Sequence, residues 1–186
     1  MFVRPGMSDT LSADVSSPQS EIEGDVTARS EFTAEERNLL VRLPRWVVGA
    51  ASTVHDDGAT RNQQKLDNGL LAVANGRTMD NPLVAELAAT AVKVYDDDPK
   101  ASGVDPTTPE GRELVIGYAQ TAMTILRTKA EDADAVAYRR WLLDITDFVI
   151  TDVRHERIGF GGVHVHPDEK QFRDRLSQVT RAALTS

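Results

Sequence analysis

From residue 32 onward the apolar positions of this chain recur at helical spacing; before it they do not. Leu83, Val84, Leu87, Ala88, Ala91 and Val92 follow one another at intervals of three and four, the stripe of a helix with one face on a core. Tyr138, Trp141, Leu142, Ile145, Phe148 and Val149 do the same over Glu131–Arg154, with Arg, Asp and Thr opposite, and predict the most strongly amphipathic helix of the chain. Leu66, Leu70, Leu71 and Val73 predict a helix over Thr60–Ala74. Leu114, Val115, Tyr118, Ala122, Ile125 and Leu126 predict another, and Phe172, Leu176, Val179 and Ala183 a last one. No alternating run is left to form a strand. The predicted fold class is all-α, a compact bundle of five to seven helices.

Local punctuation sharpens the boundaries. Thr33-Ala-Glu-Glu36 has the spacing of a capping box, in which the Thr33 hydroxyl and the Glu36 carboxylate satisfy each other's backbone amides. Asn81-Pro82 and Thr108-Pro109 each place a capping side chain before a proline at the first helical position, where a missing amide costs nothing. Pro44 interrupts the first apolar run. A proline removes the amide that would bond the Leu40 carbonyl, so the expectation is a short helix, a kink near Leu43, and a buried helix carrying Trp46, Val47, Ala50, Ala51 and Val54. Gly58 is expected as its left-handed cap, and Trp46 and Trp141 as core anchors. The stretch from Asp96 to Pro109, with its prolines and glycine, is expected as the long internal loop.

Residues 1–31 hold six acids (Asp9, Asp14, Glu21, Glu23, Asp25, Glu31), two bases and six serines, with scattered large apolar residues. Such a segment buries too little surface to offset its ordering entropy, so it is expected as a disordered acidic tail preceding an all-helical domain at 32–184. Met7 offers a second start, and nothing at the N-terminus has the apolar core of a signal peptide. The tail carries half of the net charge of −8. The acidity that remains opposes nucleic acid only mildly. No apolar stretch approaches the ~20 residues of a spanning helix, so the expected location is the cytoplasm, without membrane association.

The chain has no Cys, which excludes disulfides, thiolate metal sites and a cysteine nucleophile. Any metal must therefore be held by His and carboxylates. Three of the four histidines, His155, His164 and His166, lie within twelve residues. On an extended segment His164 and His166 would point to one face, and with His155 and Asp152 they could supply three or four ligands to zinc or a similar ion. Asp144 and Asp147 share the polar face of their helix and could approach a metal between helices. The Gly159-Phe-Gly-Gly162 loop lacks the Lys-Ser/Thr ending of a phosphate-binding loop, and Asp96-Asp97-Asp98 lacks the spacing of a calcium loop.

Phe32-Thr-Ala-Glu-Glu36 leading into Leu39–Pro44, together with Phe160-Gly-Gly-Val163 before the last helix, resembles small uncharacterised all-helical bacterial proteins. Those proteins open with Phe-Thr-x-Glu-Glu and close with Phe-Gly-Gly-x-x-Val. The helix–Asp-Gly–helix unit at His55–Leu71 is more distantly similar to repeats of tellurite-resistance protein B-like helical domains. The resemblance spans about residues 32–183 and brings no catalytic assignment. In the wider helical group acidic residues at helix ends are associated with metal binding, which implies Asp56 and Asp57 as candidate ligands. Two functions stand as expectations. One is a non-enzymatic helical protein, without cofactor, acting through a protein partner or self-association. The other is a divalent-metal-binding domain or metal-dependent enzyme using Asp56, Asp57, Asp152, His155, His164 and His166.

Overall fold

Thr33 caps the first helix as its sequence predicts: its hydroxyl accepts the Glu36 amide at 3.2 Å and its amide donates to the Glu36 carboxylate at 2.8 Å. In the computed structural model, which describes residues 32–94, 104–151 and 165–185, this opens a bundle of six α-helices. They are α1 (Ala34–Thr53), α2 (Ala59–Asn75), α3 (Pro82–Lys93), α4 (Pro109–Lys129), α5 (Asp132–Ile150) and α6 (Pro167–Thr185). A 3-10 turn, Gly76–Thr78, follows α2, and there is no strand among the described residues. Residues 1–31, the Asp96–Asp98 run and the glycine-rich loop lie outside the described residues. All the described residues belong to the unit Glu31–Ser186.

The helix starts follow from local chemistry. The Asn81 side chain accepts the Val84 amide at 2.9 Å, and the Thr108 hydroxyl accepts the Gly111 amide at 3.0 Å, each immediately before a proline.

The predicted break at Pro44 is absent. The first helix runs unbroken through the proline for 20 residues. The reason is tertiary: the Leu40 carbonyl, which loses its amide partner to Pro44, accepts the hydroxyl of Tyr138 from α5 at 2.8 Å in a fully buried contact. Burial pushes the Tyr138 phenol well above its ordinary pKa, so it stays a neutral donor.

α1 is the central element and touches each of the other five helices. From Val47 to Ser52 every residue is buried, as a helix surrounded on all sides requires. The neighbours come close enough to exclude side chains. A Cβ on Gly69 of α2 would stand 2.5 Å from a Val48 methyl and 2.6 Å from a Val149 methyl. This close approach centres the buried face of α2 on Gly69, Ala72 and Val73, and leaves Leu71, expected in the core, 55% exposed.

Trp141 is the larger anchor, edge-on to Tyr138 with ring centroids 5.7 Å apart. Trp46 is only half-buried and lies tilted against Tyr118 at 5.4 Å, a correction to its expected role as a core anchor. Phe148 is likewise exposed, because the last turn of α5 buries Val149 and Ile150 instead. The exposed large apolar residues Leu71, Val92, Leu114, Val136 and Phe148 are spread over four helices.

Candidate metal centre

The end of α1 and the start of α6 meet at one point, and each brings a histidine there. After Thr53 the chain turns through Val54–Gly58 into α2. Asp56 organises that turn: one carboxylate oxygen accepts the Gly58 amide at 2.9 Å and the Asn62 side chain at 3.0 Å. Gly58 has φ +87°, which favours glycine, but it is the N-cap of α2 rather than the left-handed cap expected to end α1. The turn carries His55 half-buried toward α6.

His166 precedes α6 directly. Its carbonyl accepts the Lys170 amide at 3.0 Å, and its own amide donates to the Glu169 carboxylate at 2.8 Å, half of a capping box. The Asp168 amide donates to His166 Nδ1 at 3.3 Å, so that nitrogen's lone pair is already engaged and must be released before it can ligate an ion.

The two imidazoles stack, with centroids 3.5 Å apart and planes 11° from parallel. Asp168 reaches both: its Oδ2 is 3.4 Å from His166 Nδ1 and 3.9 Å from His55 Nδ1. His55, His166 and Asp168 thus offer three donor atoms within 4.8 Å of one another. Tetrahedral zinc with bonds of ~2.0–2.1 Å sets its ligand atoms about 3.3–3.4 Å apart, so a spread of up to 4.8 Å is too wide for one ion without side-chain movement. An ion must also lie near the plane of each ring, and stacked rings hold their lone pairs in parallel planes. Loading the site therefore requires the imidazoles to rotate apart. Asp57 Oδ1 lies 3.8 Å from His55 Nε2 and supplies a carboxylate behind that ring.

Beneath the histidines, Lys65 of α2 donates to both Asp57 and Glu169. Lys65 is largely buried and the Glu169 side chain only 4% exposed. Burial opposes charge on Lys65 and on Asp57 and is the largest single influence on each, but their mutual hydrogen bond, the Glu169 bond to Lys65 and the attraction of the neighbouring charges together outweigh it. Lys65 is held above its ordinary value and Asp57 below its own. Lys65 pairs with Asp57 and Glu169, Arg61 lies 3.9 Å from Asp57, and Asp168 lies beside the two histidines.

Of the residues singled out from sequence, the structure brings His166 and Asp57 to this point. Asp56 is next in the chain but directs its carboxylate to Gly58 and Asn62. Asp152, His155 and His164 lie outside the described residues. His55 and Asp168 escaped sequence reasoning. The only available signals were a histidine closing one helix and a His-Pro-Asp opening another, neither of which implies that the two ends meet. Asp147, read as a second metal candidate, is instead held by Arg173 of α6 through two bonds of 2.9 and 3.0 Å, and Asp144 is exposed beside Arg140.

Asp168 also lines a cavity of about 250 Å³ between α4 and α6, walled by Val54, Ile116 and Phe172 with Arg112, Glu113 and Arg175. No helix among the described residues is long and apolar enough to cross a membrane. Comparisons with protein-family models, with curated proteins and with solved structures find no match to this chain.

Proposed function

We propose that this chain is a divalent-transition-metal-binding helical protein whose ligands are His55, His166 and Asp168. Its support is one observation: two imidazoles and a carboxylate from the far ends of the domain's sequence converge within 4.8 Å. Two nitrogens and one oxygen suit zinc, cobalt or nickel better than the all-oxygen preference of calcium and magnesium. Three protein ligands leave a fourth position open, the arrangement of sites that exchange a ligand rather than closed structural ones. Asp57 behind His55 serves as the carboxylate that orients a ligating imidazole. Protein–protein contact, the other expected function, gathers no comparable cluster of residues among those described.

Equilibrium dialysis of chelator-stripped protein against zinc tests the proposal. The wild type is expected to retain about one equivalent, and His55→Ala with His166→Ala to lose it while keeping its helical circular dichroism. Metal far below stoichiometry in the wild type, or equal retention by the double variant, refutes it.

A further inference from the structure

We propose that the seam between α5 and α6 binds a phosphate group through Arg139, Arg181 and the Ser177 hydroxyl. The seam lies toward the C-terminal end of α6, away from His166 and Asp168 at its start, and the proposal is independent of the metal reading.

Helical period sets up the cluster. Arg173, Ser177 and Arg181 stand four apart on α6, so the serine lies between two arginines on one stripe. A third arginine reaches the same serine from α5: Arg139 Nη2 donates to Ser177 Oγ at 3.0 Å and to the Ser177 carbonyl at 3.3 Å. Arg173 already has a carboxylate, Asp147, on two bonds of 2.9 and 3.0 Å, and Asp174 is engaged by Lys170. Among the described residues Arg139 and Arg181 have no acidic partner, although acids outnumber bases in the chain.

This arrangement costs stability. Arg139 Nε is buried without a hydrogen-bond partner among the described residues. Burial first, then the like charges of Arg181 and Arg173, hold its guanidinium below its ordinary pKa, yet an arginine stays charged. An anion between Arg139 and Arg181 turns their repulsion into a shared attraction. The Ser177 hydroxyl accepts from Arg139, and its own hydrogen has no acceptor among the described residues, so it is a further donor. Two guanidinium forks and a hydroxyl call for a ligand with several outward oxygens. A phosphate group presents at least three and carries up to two charges, whereas a carboxylate presents two oxygens and one charge.

Thermal unfolding at fixed ionic strength, with inorganic phosphate, glycerol phosphate or acetate added, tests this. Phosphate is expected to raise Tm saturably, by about 3–6 °C at ten times its Kd. Glycerol phosphate is expected to do the same, and the tighter of the two identifies the source as the free ion or an ester. Acetate is expected to bind about tenfold more weakly or worse. Arg139→Gln with Arg181→Gln is expected to weaken phosphate about tenfold or more. Arg140→Gln, which removes an exposed charge beside Asp144, is expected to leave it unchanged. Ser177→Asp supplies the negative charge from within the protein. It is expected to raise Tm without phosphate and to abolish the phosphate response, and it serves where the double arginine variant does not fold. A wild-type Tm indifferent to both phosphates overturns the proposal, as does acetate binding equally well. A wild-type phosphate response in Ser177→Asp, or equal responses in Arg140→Gln and the double variant, overturns it too.

Discussion

Replacing Tyr138 by phenylalanine removes one oxygen from a fully buried position and leaves the Leu40 carbonyl without the donor that replaces the amide lost at Pro44. The ring volume is unchanged, so no cavity opens, and the cost is that of an unsatisfied buried acceptor, about 1–3 kcal/mol. In a domain of this size that corresponds to a Tm lower by about 2–4 °C per kcal/mol. Pro44→Ala supplies an amide to the same carbonyl, so Tyr138→Phe is expected to cost less in that background. Urea unfolding of the four proteins in the cycle is expected to give a coupling energy of about 1 kcal/mol or more. Additivity within about 0.5 kcal/mol would falsify the reasoning that the α5 hydroxyl is what carries α1 through its proline. The same contact predicts a pH dependence. The folded protein holds the Tyr138 phenol well above its ordinary pKa while the unfolded chain ionises near pH ~10. Its contribution is therefore intact below pH ~10 and is lost as the pH rises above it. Tyr138→Phe is expected to flatten this alkaline limb; parallel losses in the two proteins would exclude Tyr138 as its source.

Gly69→Ala forces a methyl against Val48 and Val149 and is expected to cost about 1–3 kcal/mol in urea unfolding. Gly117→Ala, exposed in α4 with nothing within 4 Å, is expected instead to stabilise by up to about 1 kcal/mol, so equal effects of the two would contradict the packing described. Lys65→Met leaves Glu169, 3% exposed, without its counter-charge and is expected to destabilise by about 3 kcal/mol, and a loss under about 1 kcal/mol would mean that water reaches the pair. Asp57→Asn is expected to weaken zinc binding about 10–100-fold in chelator competition through its effect on His55, and unchanged affinity would remove Asp57 from the site.

What the chain reveals without its fold is whatever is enforced within a few residues. The capping box at Thr33 and Glu36 and the Asn81-Pro82 and Thr108-Pro109 starts are three-residue devices, and each is present where the sequence predicts it. Most of the stripe on α3, Val92 excepted, and most of that on α5 are legible for the same reason: helical period places those residues on one face whatever lies opposite. Period does not say what lies opposite, which is why Phe148 and Leu71 were expected in the core and are exposed.

The Pro44 break was sound local chemistry, overruled by a hydroxyl 98 residues away that no local rule contains. The site has the same character. Asp57 came only as what the resemblance to other helical domains implied, and the late histidines pointed to His166. Pairing His166 with His55 required knowing that the end of α1 packs on the start of α6. Sequence alone determined that the chain is helical, where most helices begin, and, through the absence of cysteine, that any metal must be held by nitrogen and oxygen. Tertiary packing alone decided which nitrogens and oxygens meet, because coordination depends on distances of a few ångströms between groups that chain order keeps far apart.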